Sequence, residues 1–166
     1  EKAPGDITIL MLPTAVGGSS ISQWLGDSVH RQVKLYSNFL EKMAIAKKYG
    51  TLKGILWHQG ESDTNEQGVA VYAERLQQLF DRFRAAAGQS SLPILIGELG
   101  SFSNNQSNWD LLNRAIRNYS LADKYSAVTS TADLHHKGDN LHFDAKGQRE
   151  MGIRFANTWW RQFYQP

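Results

Sequence analysis

The chain is 166 residues long, with a net charge of +2, five histidines and no cysteine. That length suits a single domain spanning residues 1–166 with one core, and the lack of cysteine excludes disulfides, thiolate metal sites and a cysteine nucleophile. No block of Lys and Arg is dense enough for nucleic acid, and no apolar run nears the roughly 20 residues that cross a membrane.

The opening EKAPGD has no apolar signal-peptide core, so a secretory segment is expected to be absent or already removed. Residues 7–12 (ITILML) are apolar and β-branched and predict a buried strand. Paired glycines follow in residues 15–24, AVGGSSISQW. Glycines let backbone N–H groups turn toward a ligand. The pair serves either a tight turn into a helix or an oxyanion donor.

Residues 29–49 carry Val29, Val33, Tyr36, Leu40 and Met43 at helical spacing and predict an amphipathic helix. Gly26-Asp27-Ser28 ahead of them reads as its cap rather than as a nucleophile block, because no strand precedes it. Residues 52–58 predict a second strand, which exits into a dense polar string, His58-Gln-Gly-Glu-Ser-Asp63. Gln59 has an amide suited to an oxyanion, Glu61 or Asp63 has the charge to orient a histidine or cap a helix, and His58 packs behind them.

A helical stripe returns over residues 69–87, a third strand over residues 92–99, and a shorter one over residues 125–131. Ser107 to Asp110 has capping-box spacing ahead of the helix bearing Leu111, Leu112, Ile116 and Tyr119. Asp144 is placed to cap a last helix through Phe155 and Trp159. Strands alternating with helices predict βαβ units with a parallel sheet. Ligands of such sheets bind beyond the carboxyl ends of the strands, where every polar cluster of this chain falls.

The last cluster is GDNLHFD, residues 138–144. Asp139 and His142 stand three apart, so a turn brings the carboxylate to one imidazole nitrogen and frees the other as a general base. The partner of such a base is a hydroxyl nucleophile. Ser19, Ser20, Ser22 and Ser62 lie in loops, and none has an exclusive claim. Trp24 and Trp109 either stack on a sugar ring at the cleft rim or pack in the core.

The ordered blocks AVGGSSISQW, WHQGESD and GDNLHFD resemble the SGNH-hydrolase superfamily. Within it the chain is most similar to the sialate O-acetylesterase and acetylxylan esterase group, carbohydrate esterase family six. The resemblance implies a flavodoxin-like three-layer α/β/α sandwich and a serine-type acetylesterase that acts on an acetylated carbohydrate without a cofactor, in an extracellular or periplasmic setting. It makes His142 the base and Asp139 or Glu61 its acid, and puts Gly18 and Gln59 in the oxyanion hole.

The family's nucleophile sits in a Gly-Gln-Ser block after its first strand, and that block is absent here. With the family order 2-1-3-4-5, losing the first strand would open two central edges. The strand and its serine are therefore expected in a companion chain, a cleaved segment or residues outside this sequence. Two rivals stand beside this reading. One is a catalytically inactive carbohydrate-binding relative. The other is a metal-dependent hydrolase using His58, Glu61, Asp63, His135, His136, Asp139 and His142, whose spacing fits no standard metal motif.

Overall fold

The computed structural model describes Gly5 and residues 7–164. The opening stretch read for a signal-peptide core lies outside the described residues apart from Gly5. The elements run α1 (Ile21–Leu25), β1 (Val29–His30), β2 (Val33–Lys34), α2 (Leu35–Ala46), β3 (Ile55–Trp57), α3 (Glu66–Ala87), β4 (Ile94–Gly97), α4 (Gln106–Ala122), β5 (Ser126–Thr129) and α5 (Ala145–Gln162). A short 3-10 turn, Glu61–Asp63, joins β3 to α3.

Strands β3, β4 and β5 form a parallel sheet in that order, with Ile55 opposite Ile94 and Ile94 opposite Ser126. Alternation along β4 feeds two cores. Ile94 and Ile96 enter the larger one with Trp24, Phe39, Phe80, Phe83 and Ile116, residues of α1, α2, α3 and α4. Leu95 faces the other way, onto Met151 and Phe155 of α5. The result is helix, sheet and helix in three layers, as the strand–helix alternation predicts. Phe83 is the hub of the larger core, with Trp24, Tyr36, Phe39, Trp57 and Phe80 rings around it.

Caps set several of the helix boundaries. Ser20 and Gln23 close a capping box on α1, Asn65 caps α3 through Gly68 N–H, and Asp144 caps α5 through Gly147 N–H as expected. The α2 cap is non-local. Asp27 reaches forward, and its carboxylate accepts hydrogen bonds from the backbone and hydroxyl of Ser37 in the first turn of α2. These bonds hold its carboxyl below the ordinary carboxylate value.

Three expectations need correction. Residues 7–12 form no strand; Ile9 and Met11 are 69% and 65% exposed, because no neighbouring strand among the described residues pairs with them. The helix expected over residues 29–49 begins only at Leu35. Before it, β1 and β2 make a hairpin whose two tip residues, Arg31 and Gln32, have φ of +47° and +66°, which no α-helix tolerates. The box at Ser107 lies inside α4, whose N-cap is Asn105. β3 is an edge as well. Ile55 N–H bonds Pro93 O, so the Leu56 N–H points away from β4, and the Leu56 side chain is 47% exposed.

Candidate active site

Two of the three polar blocks lock together beyond the end of β3. The 3-10 turn after β3 buries Asp63, whose Oδ2 accepts from Ile21 N–H at 2.9 Å and from Gln59 Nε2 at 2.6 Å. Gln59 Nε2 also donates to Ser19 O at 2.9 Å. Both acceptors fix the amide orientation, and Gln59 Oε1 accepts from the Tyr72 hydroxyl at 3.0 Å. Ser62 Oγ donates to Gly18 O at 3.0 Å. The glycine loop is thus pinned from below by Gln59, Asp63 and Ser62. Tyr72 is fully buried, and burial, the largest cause, pushes its hydroxyl pKa far up, so it stays a donor.

Gly18 sits at φ +79°, a conformation a glycine adopts without strain. No acceptor among the described residues takes its N–H, which keeps that donor available for an oxyanion. Gln59 differs from expectation. Both of its N–H bonds are committed to Ser19 O and Asp63, so in this arrangement it braces the loop instead of donating to a ligand. Gly60, at φ +153°, lies where a Cβ would come within 2.7 Å of Leu112, which fixes the abrupt exit from β3.

The third block is a tight hairpin. His136 and Phe143 form an antiparallel bridge, flanked by Lys137 N–H to His142 O and Asp144 N–H to His135 O, both 2.9 Å. His136 Nδ1 accepts from the N–H groups of Gly138 and Asn140 and shapes the tip. There Asp139 Oδ1 accepts from the backbone N–H of Leu141 and His142, while Oδ2 lies 2.7 Å from His142 Nδ1. The His142 backbone N–H first, then its imidazole, hold the Asp139 carboxyl far below the carboxylate range. An ionised Asp139 requires a proton on His142 Nδ1, leaving Nε2 as the basic nitrogen. The His142 side chain is 57% exposed, and its ring contacts no serine hydroxyl among the described residues.

Aromatic packing joins this hairpin to the other blocks. The His58 ring lies 5.6 Å from the Phe143 ring, and Phe102 lies 5.2 Å from both His136 and Phe143. His58 therefore packs behind the site, donating to Glu98 O from Nε2. Glu61 sits on the 3-10 turn and makes no side-chain contact with His142 among the described residues; Asp139 does. Trp24 and Trp109 are 3% and 2% exposed and belong to the core, so neither offers a face to a sugar. Trp24 instead donates from Nε1 to Ser19 Oγ, another prop beneath the glycine loop.

Sequence reasoning missed Tyr72, read only as part of a helical stripe, and weighed His136 only as a metal ligand, not as the residue that shapes the hairpin tip. Only the Gln59–Asp63 spacing carried a signal, since residues four apart on a short turn can meet.

The sequence model of a family described as carbohydrate esterase, sialic acid-specific acetylesterase, matches residues 1–161. A probable carbohydrate esterase of Arabidopsis thaliana is 27% identical over 160 residues, covering 92% of this chain and 56% of that protein. Its crystal structure superposes with a TM-score of 0.77 at 25% identity, over 89% of this chain and 59% of that one. A carbohydrate acetylesterase from Xanthomonas citri gives 0.59 at 26% identity, over 66% and 26% of the two chains. A family 3 carbohydrate esterase from Talaromyces cellulolyticus, at 14% identity and a TM-score of 0.52 over 72% and 63%, shares the fold. The chain spans between a half and two thirds of the Arabidopsis protein. With a family match over nearly its whole length, the chain belongs to the sialic acid-specific acetylesterase family of carbohydrate esterases.

Proposed function

We propose that this chain carries the base, the acid and the oxyanion loop of a carbohydrate O-acetylesterase, and that a segment outside it brings the serine. The observation that carries this reading is the Asp139–His142 pair. An imidazole oriented through Nδ1 at 2.7 Å, exposed and basic at Nε2, is a general base awaiting an alcohol.

The open side of β3 supports the second half. An outward Leu56 N–H, an exposed Leu56 side chain and the uncovered apolar residues 7–12 are groups that an added strand would pair and cover. A parallel strand there would end level with the polar blocks, where a serine at its carboxyl end meets His142.

The chemistry then runs in two halves. His142 Nε2 takes the serine proton as Oγ attacks the acetyl carbonyl, and Gly18 N–H donates to the oxyanion. The tetrahedral intermediate collapses, the sugar oxygen leaves with the proton from His142, and the acetyl group stays on the serine. Water, deprotonated by the same nitrogen, releases acetate.

The test is hydrolysis of a chromogenic acetate ester by this chain together with the serine-bearing segment, with and without His142→Ala. The expected loss in kcat is about a hundredfold to ten-thousandfold. Near-normal turnover by the variant would sink the assignment. Ligand binding without any hydrolysis would favour the inactive relative instead.

A further inference from the structure

The hairpin that carries the base holds an acceptor that the acetyl-transfer steps do not use. Its tip turns through Gly138 at φ +110° and Asn140 at φ +54°, the second a left-handed conformation uncommon for a residue with a side chain. Strain of that kind persists only where the surroundings impose it. Here one atom does so. His136 Nδ1 accepts from Gly138 N–H at 3.1 Å and from Asn140 N–H at 3.0 Å, the two amides that flank Asp139.

The ring is itself fixed. Phe102 packs on His136 at 5.2 Å, and is held in turn by Phe143 at 5.2 Å and by the core residue Trp109 at 5.8 Å. A ring nitrogen that accepts two N–H groups carries no proton, so His136 keeps its proton on Nε2. A chain of acceptors then runs through the turn. His136 Nδ1 holds the amides on either side of Asp139, Asp139 Oδ1 holds those of Leu141 and His142, and Asp139 Oδ2 meets the His142 ring.

We propose that His136 is a positioning residue of the esterase: its unprotonated Nδ1 sets the backbone around Asp139, and through Asp139 it sets the tautomer and aim of the His142 base. The proposal rests on the esterase reading above and adds a residue to it. His136 touches no reacting atom and acts only through Asp139. Without it, Gly138 and Asn140 lose their acceptor, Asn140 is released from its left-handed conformation, and the carboxylate drifts from the imidazole. A misplacement of about 1 Å at a catalytic group costs about a hundredfold in rate. The loss belongs to kcat, since a misaimed base slows proton transfer and leaves ground-state binding alone.

The experiment has two arms. In the first, the chain with its serine-bearing segment hydrolyses a chromogenic acetate ester. His136→Leu should lower kcat about a hundredfold with KM nearly unchanged. His136→Asn, whose amide oxygen stands where Nδ1 stood and accepts both N–H groups, should recover most of that loss. Residues that act through one another are non-additive. In a double-mutant cycle, His136→Leu should therefore cost almost nothing further once Asp139→Asn is present. A normal kcat in His136→Leu, no recovery in His136→Asn, or additive losses in the cycle overturns the proposal.

The second arm needs no turnover. Nitrogen NMR of this chain alone, in mildly alkaline buffer, reads which nitrogen of each imidazole carries the proton. The wild type should show His136 protonated on Nε2 and His142 on Nδ1. In His136→Leu the His142 ring should relax toward the tautomer mixture of a free imidazole, and in His136→Asn it should stay on Nδ1. An unchanged His142 tautomer in His136→Leu also overturns the proposal. The tautomer shift without ester hydrolysis by the wild type would overturn the esterase reading and uphold the grip of His136 on His142. If His136→Leu does not fold, His136→Gln, which moves the acceptor one carbon outward, takes its place with the same expected losses.

Discussion

At the residue scale, a single carboxylate does two jobs in each half of the site. Asp139 organises its own turn through Oδ1 and aims His142 through Oδ2. Its folded pKa lies below the unfolded value of about 3.9, so its stabilising contribution is complete above about pH 4 and fades as pH falls below that. Melting curves of the wild type and Asp139→Asn should therefore differ by a constant amount from neutrality to about pH 4 and converge in stronger acid. The same variant should slow ester hydrolysis about a hundredfold or more, because the imidazole loses its orienting partner.

Asp63 is the counterpart beneath the glycine loop. Asp63→Ala strands the buried Ile21 N–H and one hydrogen of Gln59, at about 1–3 kcal/mol each; denaturant unfolding will measure it. Gln59→Ala, if the residue is a brace, should lower melting temperature and turnover together, whereas a pure oxyanion donor would affect turnover alone.

At the element scale, end signals in the sequence were reliable where the cap was local. Asp144 was legible as the start of α5 because an aspartate three residues before a glycine N–H closes the cap within one turn. Asp27 was recognised as a cap, but its distance from Ser37 was not legible, since a hairpin intervenes. That hairpin was missed because Val29 and Val33 fall at helical spacing, and periodicity alone does not register two positive-φ residues between them. The α3 helix depends on its aromatic seam. Phe83→Ala should cost about 3–5 kcal/mol in urea unfolding, since five surrounding rings cannot close over the cavity.

At the scale of the whole molecule, the open edge is the decisive feature. If a strand completes the sheet at β3, the Leu56 amide should exchange with deuterium freely in this chain alone and become protected when the serine-bearing segment is added. Exchange unchanged by that addition would refute strand completion. The same docking would cover Ile9 and Met11, which now lie in solvent.

The sequence by itself determined the alternation of strands and helices, the parallel sheet and the three polar blocks, because hydrophobic periodicity and short polar strings are local properties. It also contained the Asp139–His142 pair, whose partners stand three residues apart. Tertiary structure alone decided the rest. Gln59 became a brace because Ser19 O and Asp63 converge on its amide, and Trp24 and Trp109 were drawn into the core. Residues 7–12 were left uncovered because a strand is stable only beside another. Each of these outcomes depends on a contact or a missing neighbour far away along the chain, which no window of sequence contains.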